Sequence, residues 1–401
     1  MGAIDATYRQ RTARSAALAE RASQVMPGGD TRTAAHHPPY SLTIDRGEGP
    51  FVWDVDGHRY VDLIGNFTSL VHGNAYPPII EAARRQLGRG TQWPARNEAQ
   101  VELAELLVDR VASVDQVRFT NSGTEATMLA LYIARVLTGR RKVLMARHGY
   151  HGSLEEFEVG FFGHEGPETL LAPHGDAAAF EAALDEHGAE VAAVVLEPVM
   201  GSAGLVASPE GFLGRVAAAA QAAGALFVLD EVITLRLATG GAQAREGVTP
   251  DLTAMGKIIG GGFPVGAVGG RADLLAVLDP RQPRLFHSGT FNGNPVTCAA
   301  GAVSLGHLTS DRIGVMEAQG ERLAAGLRQG AERAGLPFSC HHAGSLVQCF
   351  FSDVPPEATL VRTDGDLVQR FHLAALNHGL FFAGRGLLAL STVIDEALFD
   401  E

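Results

Sequence analysis

Val191-Ala-Ala-Val-Val-Leu196 is an unbroken apolar run of strand length, set between two helical patterns, Ala177–His187 before it and Phe212–Ala223 after it. A six-residue strand with no polar position has no solvent face. It predicts a sheet covered on both sides, as in parallel sheets whose connections are helices. Ala225-Leu-Phe-Val-Leu-Asp230 repeats the pattern and closes on an aspartate. Towards the amino terminus, a helix over Glu98–Val111 precedes Val117-Arg-Phe-Thr120, and a helix over Gly123–Leu137 precedes Lys142-Val-Leu-Met-Ala146. Helix and buried strand alternate to about residue 310, which is the signature of an α/β domain.

The flanks read differently. A helix over residues 14–25 ends at Met26-Pro-Gly-Gly29, and Tyr40-Ser-Leu-Thr-Ile-Asp45, Pro50–Gly57 and Tyr60-Val-Asp-Leu-Ile64 read as short strands, with Asp56-Gly57 as a hairpin turn. After Arg312 come an amphipathic helix over Ile313–Ala334, a strand over Ser345–Phe351 and a helix over Gly365–Gly379. The expected division is an amino-terminal segment with a small sheet over 1–65, a large domain over 66–310 and a carboxy-terminal α+β domain over 311–401.

With 401 residues and 46% hydrophobic content the chain can bury a large core, and its net charge of −13 disfavours nucleic acid and anionic membranes. Three cysteines in no metal-binding spacing read as reduced thiols. The amino terminus has no signal-peptide core and no window has the ~20 apolar residues of a membrane span. A soluble, cytoplasmic protein is expected.

Several strand ends carry chemistry. Lys257 follows Asp230 by 27 positions, in Leu252-Thr-Ala-Met-Gly-Lys-Ile-Ile-Gly-Gly-Gly262. A lysine in a glycine-rich turn and an aspartate on a strand end are what pyridoxal phosphate chemistry requires: the amine forms a Schiff base with the cofactor aldehyde, and the carboxylate keeps the pyridine nitrogen protonated. Arg118-Phe-Thr-Asn-Ser-Gly-Thr-Glu-Ala126 runs from a strand into a helix. Its helix-start N–H groups, the Ser122 and Thr124 hydroxyls and the close approach allowed by Gly123 suit a phosphate monoester, although the same residues also read as a helix cap. In Arg147-His-Gly-Tyr-His-Gly152, Tyr150 is suited to stack on the pyridine ring. His148 and His151 lack a third ligand for a metal and read as loop histidines. Val232, two residues past Asp230 on an extended chain, would cover the other ring face. Glu197 ends a strand near the expected substrate, as a ligand or as a loop's hydrogen-bonding partner. Thr290, in His287-Ser-Gly-Thr-Phe-Asn-Gly-Asn-Pro295, offers a second phosphate contact or a helix cap. No P-loop, nucleophile elbow or dinucleotide fingerprint is present.

Taken in order, Thr120-Asn-Ser-Gly-Thr-Glu-Ala126, Tyr150-His-Gly152, Glu197-Pro-Val199, Leu229-Asp-Glu-Val232, Met255-Gly-Lys-Ile-Ile-Gly-Gly-Gly262 and Ser288-Gly-Thr-Phe-Asn-Gly-Asn-Pro295 resemble the class III (fold type I) aminotransferases. The similarity spans roughly residues 20 to 395 and lies in the branch that includes glutamate-1-semialdehyde aminomutase. It implies a mostly parallel seven-stranded sheet between helices with a small α+β domain. It also implies Lys257 as the cofactor-bearing lysine, Asp230 on the ring nitrogen, Gly123 and Thr124 on the phosphate, and Thr290 reaching the partner's phosphate in a homodimer with interfacial sites. Phe381-Phe-Ala-Gly-Arg-Gly-Leu-Leu-Ala-Leu-Ser391 is similar to β-phenylalanine-type aminotransferases, where such an arginine, here Arg385, grips the α-carboxylate of 2-oxoglutarate or glutamate. Arg32 matches their substrate-carboxylate position, a role suited to a bidentate guanidinium. A surface ion pair is the plain alternative for either arginine. The chain departs from the class at Thr234-Leu-Arg-Leu-Ala238, and relatives usually continue beyond its end through a terminal helix.

The expected activity is transamination from a carboxylate-bearing amine, a β-amino acid with an aromatic group among the possibilities, to 2-oxoglutarate or a similar keto acid. The alternatives are a 1,2-amino shift of the aminomutase type and a catalytically inactive cofactor-binding protein.

Overall fold

A computed structural model describes residues 2–352 and 365–400, and the chain divides into two compact units. The second unit, residues 77–313, is built on a seven-stranded sheet. Its strands are β1 (Gln116–Thr120), β2 (Lys142–Ala146), β3 (Thr169–Ala172), β4 (Val191–Leu196), β5 (Leu226–Asp230), β6 (Leu252–Gly256) and β7 (Gly266–Gly270), in spatial order β1-β7-β6-β5-β4-β2-β3. The pairings among β6, β5, β4, β2 and β3 are parallel, and β7 runs antiparallel to both β6 and β1. This is the fold type I arrangement.

The apolar run that opened the sequence reading is buried at every position. Its alternation feeds two cores. Ala193 and Val195 of β4 and Val228 of β5 pack with the helix Gly123–Thr138, while Val194, Leu196, Phe227 and Leu229 pack with the helices Ala177–His187 and Phe212–Ala222. Each fully buried valine or leucine contributes on the order of 1.5–3 kcal/mol. The period of two has a functional result: Glu197 continues the register of Ala193 and Val195, and Asp230 that of Val228, so both carboxylates belong to the face covered by the helix Gly123–Thr138.

Strand β7 escaped the sequence reading because Gly-Ala-Val-Gly-Gly has low strand propensity. Space explains its composition. A Cβ on Gly266 would lie 1.9 Å from the Ser122 carbonyl oxygen, and one on Gly270 2.6 Å from that of Asp251. The short strand β3 and the helices Pro77–Leu87 and Glu155–Phe161 also lie outside the expected pattern.

The first unit holds residues up to Tyr76 and those from Gly314 onwards. The chain past residue 65 stays with it because Gly49 and Asn74 exchange backbone hydrogen bonds of 2.7 Å and Asn74 Nδ2 donates to Asp62 at 2.9 Å. A four-stranded sheet joins Ile44–Glu48, Phe51–Asp54, Arg59–Asp62 and Leu380–Phe381. The first of these lies later than the expected run at Tyr40–Asp45, because it pairs by register with Phe51–Asp54. A three-stranded sheet joins Ser339–Ala343, Leu346–Phe350 and Leu387–Ala389. Among the described residues, no helix is long and apolar enough to cross a membrane.

Candidate active site

The carboxyl ends of β4, β5 and β6 and the start of the helix Gly123–Thr138 meet at one place, where ligands bind in open α/β sheets. Ser122 is the helix N-cap, with its Oγ accepting from Glu125 N at 3.1 Å, and Glu125 Oε2 accepts from Asn121 N at 2.6 Å. The capping reading of Ser122 is therefore realised. By helix geometry the Gly123 and Thr124 N–H groups point out along the axis, the side on which anions bind.

Glycines mark how closely the segments approach. A Cβ on Gly123 would sit 2.9 Å from Val232 Cγ1, and one on Gly256 would sit 3.4 Å from the same atom and 3.6 Å from Gly123 Cα. The candidate phosphate cradle at the start of the helix Gly123–Thr138, the turn after Asp230 and the residue before Lys257 thus lie in van der Waals reach. Lys257 itself has φ 49°, a left-handed conformation that costs a non-glycine residue about 1–2 kcal/mol and that recurs at functional positions. It opens the turn Lys257–Gly260 directly after β6, whose Ala254 pairs with Asp230.

Asp230 is 5% exposed. Its Oδ1 accepts from Val232 N at 3.0 Å, and its Oδ2 lies 2.9 Å from His151 Nδ1. The first bond corrects the extended-chain argument for Val232. The strand ends at Asp230, and its own carboxylate captures the Val232 N–H and bends the chain. Val232 still reaches the site, through this turn rather than through strand alternation.

The second bond shows what the sequence reading missed. His151 is not a bystander in its loop: it is 2% exposed, packs edge-on to Phe157 at 5.4 Å, and directs Nδ1 at Asp230. Its Nε2 is buried with no hydrogen-bond partner among the described residues, so the Nδ1–H···Asp230 bond sets the ring's orientation. The Tyr150-His-Gly152 spacing was visible, but only the fold brings it across to a residue 79 positions away.

Glu197 is the post that holds this loop. Its Oε1 accepts from Tyr150 N and its Oε2 from Gly201 N, each at 3.0 Å. Burial, with a smaller contribution from the Asp230 charge and against the opposing pull of His151, pushes its carboxyl up to about 7. Thr127 Oγ1 donates to His151 O at 2.5 Å, and a Cβ on Gly152 would lie 2.5 Å from Thr124 Oγ1, so the loop is also seated on the first turn of the cradle helix. Tyr150 is 40% exposed, its ring edge-on to Phe161 at 5.4 Å. His148 turns away, with Nδ1 3.0 Å from Phe161 O. Among the described residues, no cluster of three or more metal-ligating side chains occurs.

The segment holding Thr290 is tied to the cradle through Asn121 Nδ2 and Asn292 Oδ1, 2.8 Å apart. Asn294, not Thr290, caps the following helix Pro295–His307. Thr290 is exposed, and its carbonyl accepts from Gln92 at 2.7 Å. Beside Asp230, Glu231 is fully buried and accepts from Thr234 Oγ1, Ala242 N and Gln243 N at 2.5, 3.0 and 2.7 Å. Burial raises its carboxyl, and it organises the divergent Thr234–Ala238 stretch, in which Arg236 is only 1% exposed.

Both candidate carboxylate-binding arginines lie in the first unit. Arg32 is exposed and in no ion pair among the described residues. Its Nη1 donates to Asn66 Oδ1 at 2.7 Å, and its guanidinium carbon lies 5.4 Å from the Phe67 ring centroid. Arg385 Nη1 donates to Gln348 Oε1 at 3.1 Å, and Gln348 Nε2 donates back to Arg385 O at 2.7 Å. Gln348 is 2% exposed in the middle of its strand. Neither amide had been singled out in the sequence.

The residues present fit pyridoxal phosphate: an N-terminal anion cradle whose glycine leaves no room for a side chain, a buried carboxylate oriented by an imidazole, and a lysine held in a left-handed turn beside them. Comparison with known proteins agrees. The family model for class-III aminotransferases matches residues 32–157 and 166–395. A beta-phenylalanine transaminase from Variovorax paradoxus is 39% identical over 95% of this chain and 89% of its own length. A glutamate-1-semialdehyde 2,1-aminomutase from Rhodopirellula baltica is 37% identical over 97% and 94%. The crystal structure of an omega-transaminase from Sphaerobacter thermophilus superimposes with a TM-score of 0.93 at 38% identity, covering 98% of this chain and 96% of that one. The chain therefore belongs to the class-III aminotransferases, and is an enzyme of fold type I that uses pyridoxal 5′-phosphate.

Proposed function

We propose that this aminotransferase moves the amino group of a carboxylate-bearing amine, a β-amino acid with an aromatic side group among its candidates, to 2-oxoglutarate or a similar keto acid. The observation that carries this reading is the pair of arginines, Arg32 and Arg385, each hydrogen-bonded by a neutral carboxamide. The resemblance to a beta-phenylalanine transaminase supports it.

When bound, the cofactor supplies an electrophilic aldehyde and an electron-accepting ring. The roles of the chain's own residues follow from their chemistry. Lys257 Nζ holds the cofactor and, once released, carries a proton to and from the substrate carbon. The Asp230 carboxylate holds a proton on the ring nitrogen, and His151 keeps that carboxylate aimed. Ser122, Gly123 and Thr124 bind the phosphate, while Tyr150 and Val232 cover the ring faces and Glu197 fixes the Tyr150 loop. Thr290, exposed in the single chain, reaches the phosphate site of a second copy in a homodimer. Arg32 takes the donor carboxylate and Arg385 the α-carboxylate of the acceptor. The buried cysteines suit a reducing, cytoplasmic setting.

The test is a panel of α-, β- and ω-amino donors with 2-oxoglutarate and pyruvate, followed by cofactor absorbance. Turnover of β-amino acids with 2-oxoglutarate is expected, and activity confined to amines lacking a carboxylate would overturn the assignment. Lys257→Ala is expected to lose both the lysine-bound cofactor absorbance and turnover. The aminomutase relative favours a second reading, an intramolecular 1,2-amino shift. Arg385→Ala separates the two: it should depress the 2-oxoglutarate half-reaction at least tenfold, ~1.4 kcal/mol, more than the donor half-reaction. Equal losses would count against a free acceptor acid.

A further inference from the structure

Gly65, Asn66, Phe67 and Thr68 have φ of 51°, 49°, 53° and 76°, four successive residues in the left-handed region, of which only the first is glycine. This turn is clamped at its base. Asp62 Oδ1 accepts from Ile64 N and Gly65 N at 3.1 and 2.9 Å, and Leu70 N donates to Gly65 O at 2.8 Å. Asparagine is among the few side chains that tolerate such a conformation, so the turn can present a carboxamide at this point.

The carboxamide has a defined direction. Asn66 Nδ2 donates to Ser69 Oγ at 3.1 Å, and Ser69 Oγ donates in turn to Asn66 O at 2.9 Å, which turns Oδ1 towards Arg32 Nη1, 2.7 Å away. The Phe67 ring lies beneath the guanidinium. Arg32 is thus held by an amide oxygen and an aromatic face, neither of which carries a charge, and its guanidinium forms no ion pair among the described residues, the Asp30 carboxylate accepting only the Arg32 backbone N–H at 3.0 Å. A guanidinium has five N–H donors, and the amide occupies one nitrogen. An aspartate in the same place would fit the same space and conformation but would neutralise the cation.

We propose that Asn66 is a positioning residue that sets specificity for the donor carboxylate: it orients Arg32 while leaving the positive charge to the substrate. This rests on the reading of Arg32 as the donor-carboxylate site. The test uses the cofactor-loaded full chain with 3-amino-3-phenylpropanoate as donor, comparing Asn66→Asp, Asn66→Gly and Arg32→Ala. Asn66→Asp should raise KM at least tenfold with kcat changed less than threefold, because an internal ion pair competes with the substrate. Asn66→Gly keeps the left-handed backbone and the free charge, and should raise KM only a few-fold. Both substitutions suit the turn, so a merely structural role for Asn66 would leave KM alone. If Arg32→Ala raises KM and Asn66→Asp stays within twofold of the parent, the role of Asn66 is overturned while that of Arg32 stands. If Arg32→Ala leaves KM unchanged, or the donor is not turned over at all, the reading of Arg32 falls and this inference with it.

Discussion

Asp230 shows how one residue's chemistry depends on a partner far along the chain. A carboxylate at 5% exposure needs compensation, and it receives a backbone N–H from Val232 and the imidazole of His151. A hydrogen bond to a charged group is worth about 1.5–3 kcal/mol, which corresponds to roughly 10–100-fold in rate if it is expressed in the transition state. His151→Phe keeps the ring packing on Phe157 and removes only this bond. It is expected to lower turnover by that factor and to shift the cofactor absorbance band, with a fall of a few degrees in the thermal midpoint from the carboxylate left short of a partner. A variant with parental turnover would show that Val232 N alone suffices to orient Asp230.

At the scale of elements, glycine does what apolar patterning cannot. Strand β7 lies between β6 and β1 and passes so near the cradle that a Cβ on Gly266 would meet the Ser122 carbonyl at 1.9 Å and Thr120 Oγ1 at 2.4 Å. The Ser122 carbonyl is backbone and cannot yield as a flexible side chain would. Overpacking typically costs about 1–3 kcal/mol, and backbone contact places this site at or above the upper end. Gly266→Ala is expected to lower the thermal midpoint by several degrees and to weaken phosphate retention, because relief of the clash displaces Ser122. The apparent Kd for added cofactor, measured alongside the melting curve, checks both consequences. The left-handed turn at Gly65–Thr68 follows the same logic, since backbone conformation rather than burial positions Asn66 and Phe67.

For the molecule as a whole, acid stability has an identifiable source. His37 and His372 are buried in the first unit with ring centroids 4.5 Å apart, against Phe382 and, beside His37, Tyr8. Burial lowers His37 to about 4, and burial together with the neighbouring imidazole holds His372 well below 6.5. Between those values and 6.5 the unfolded chain binds protons that the folded chain does not. Stability is therefore full above pH 6.5 and falls as pH drops through this window, by about 1.4 kcal/mol per pH unit for each histidine. Neither His372 nitrogen has a hydrogen-bond partner among the described residues, so His372→Phe forfeits no bond there. The variant should match the parent at pH 8 and be the more stable of the two at pH 5. Parallel melting curves across that range test this, and equal pH slopes would refute it.

The family and the parallel core were legible in the chain because each rests on local chemistry. A strand buried on both faces must be apolar at every position, as β4 is, and a helix start favours a residue that can cap it, as Ser122 does. What the tertiary structure decided are matters of distance between residues far apart in sequence. These include the bond from His151 to Asp230, the two loop N–H groups gathered by Glu197, the clasp of Gln348 on Arg385 and the placement of a glycine-rich segment as a strand. The three hydrogen-bonded contacts change neither the period nor the composition of their own segments, and the glycines of β7 hide its strand rather than reveal it. They arise only when the folded backbone brings the groups within hydrogen-bonding or van der Waals range.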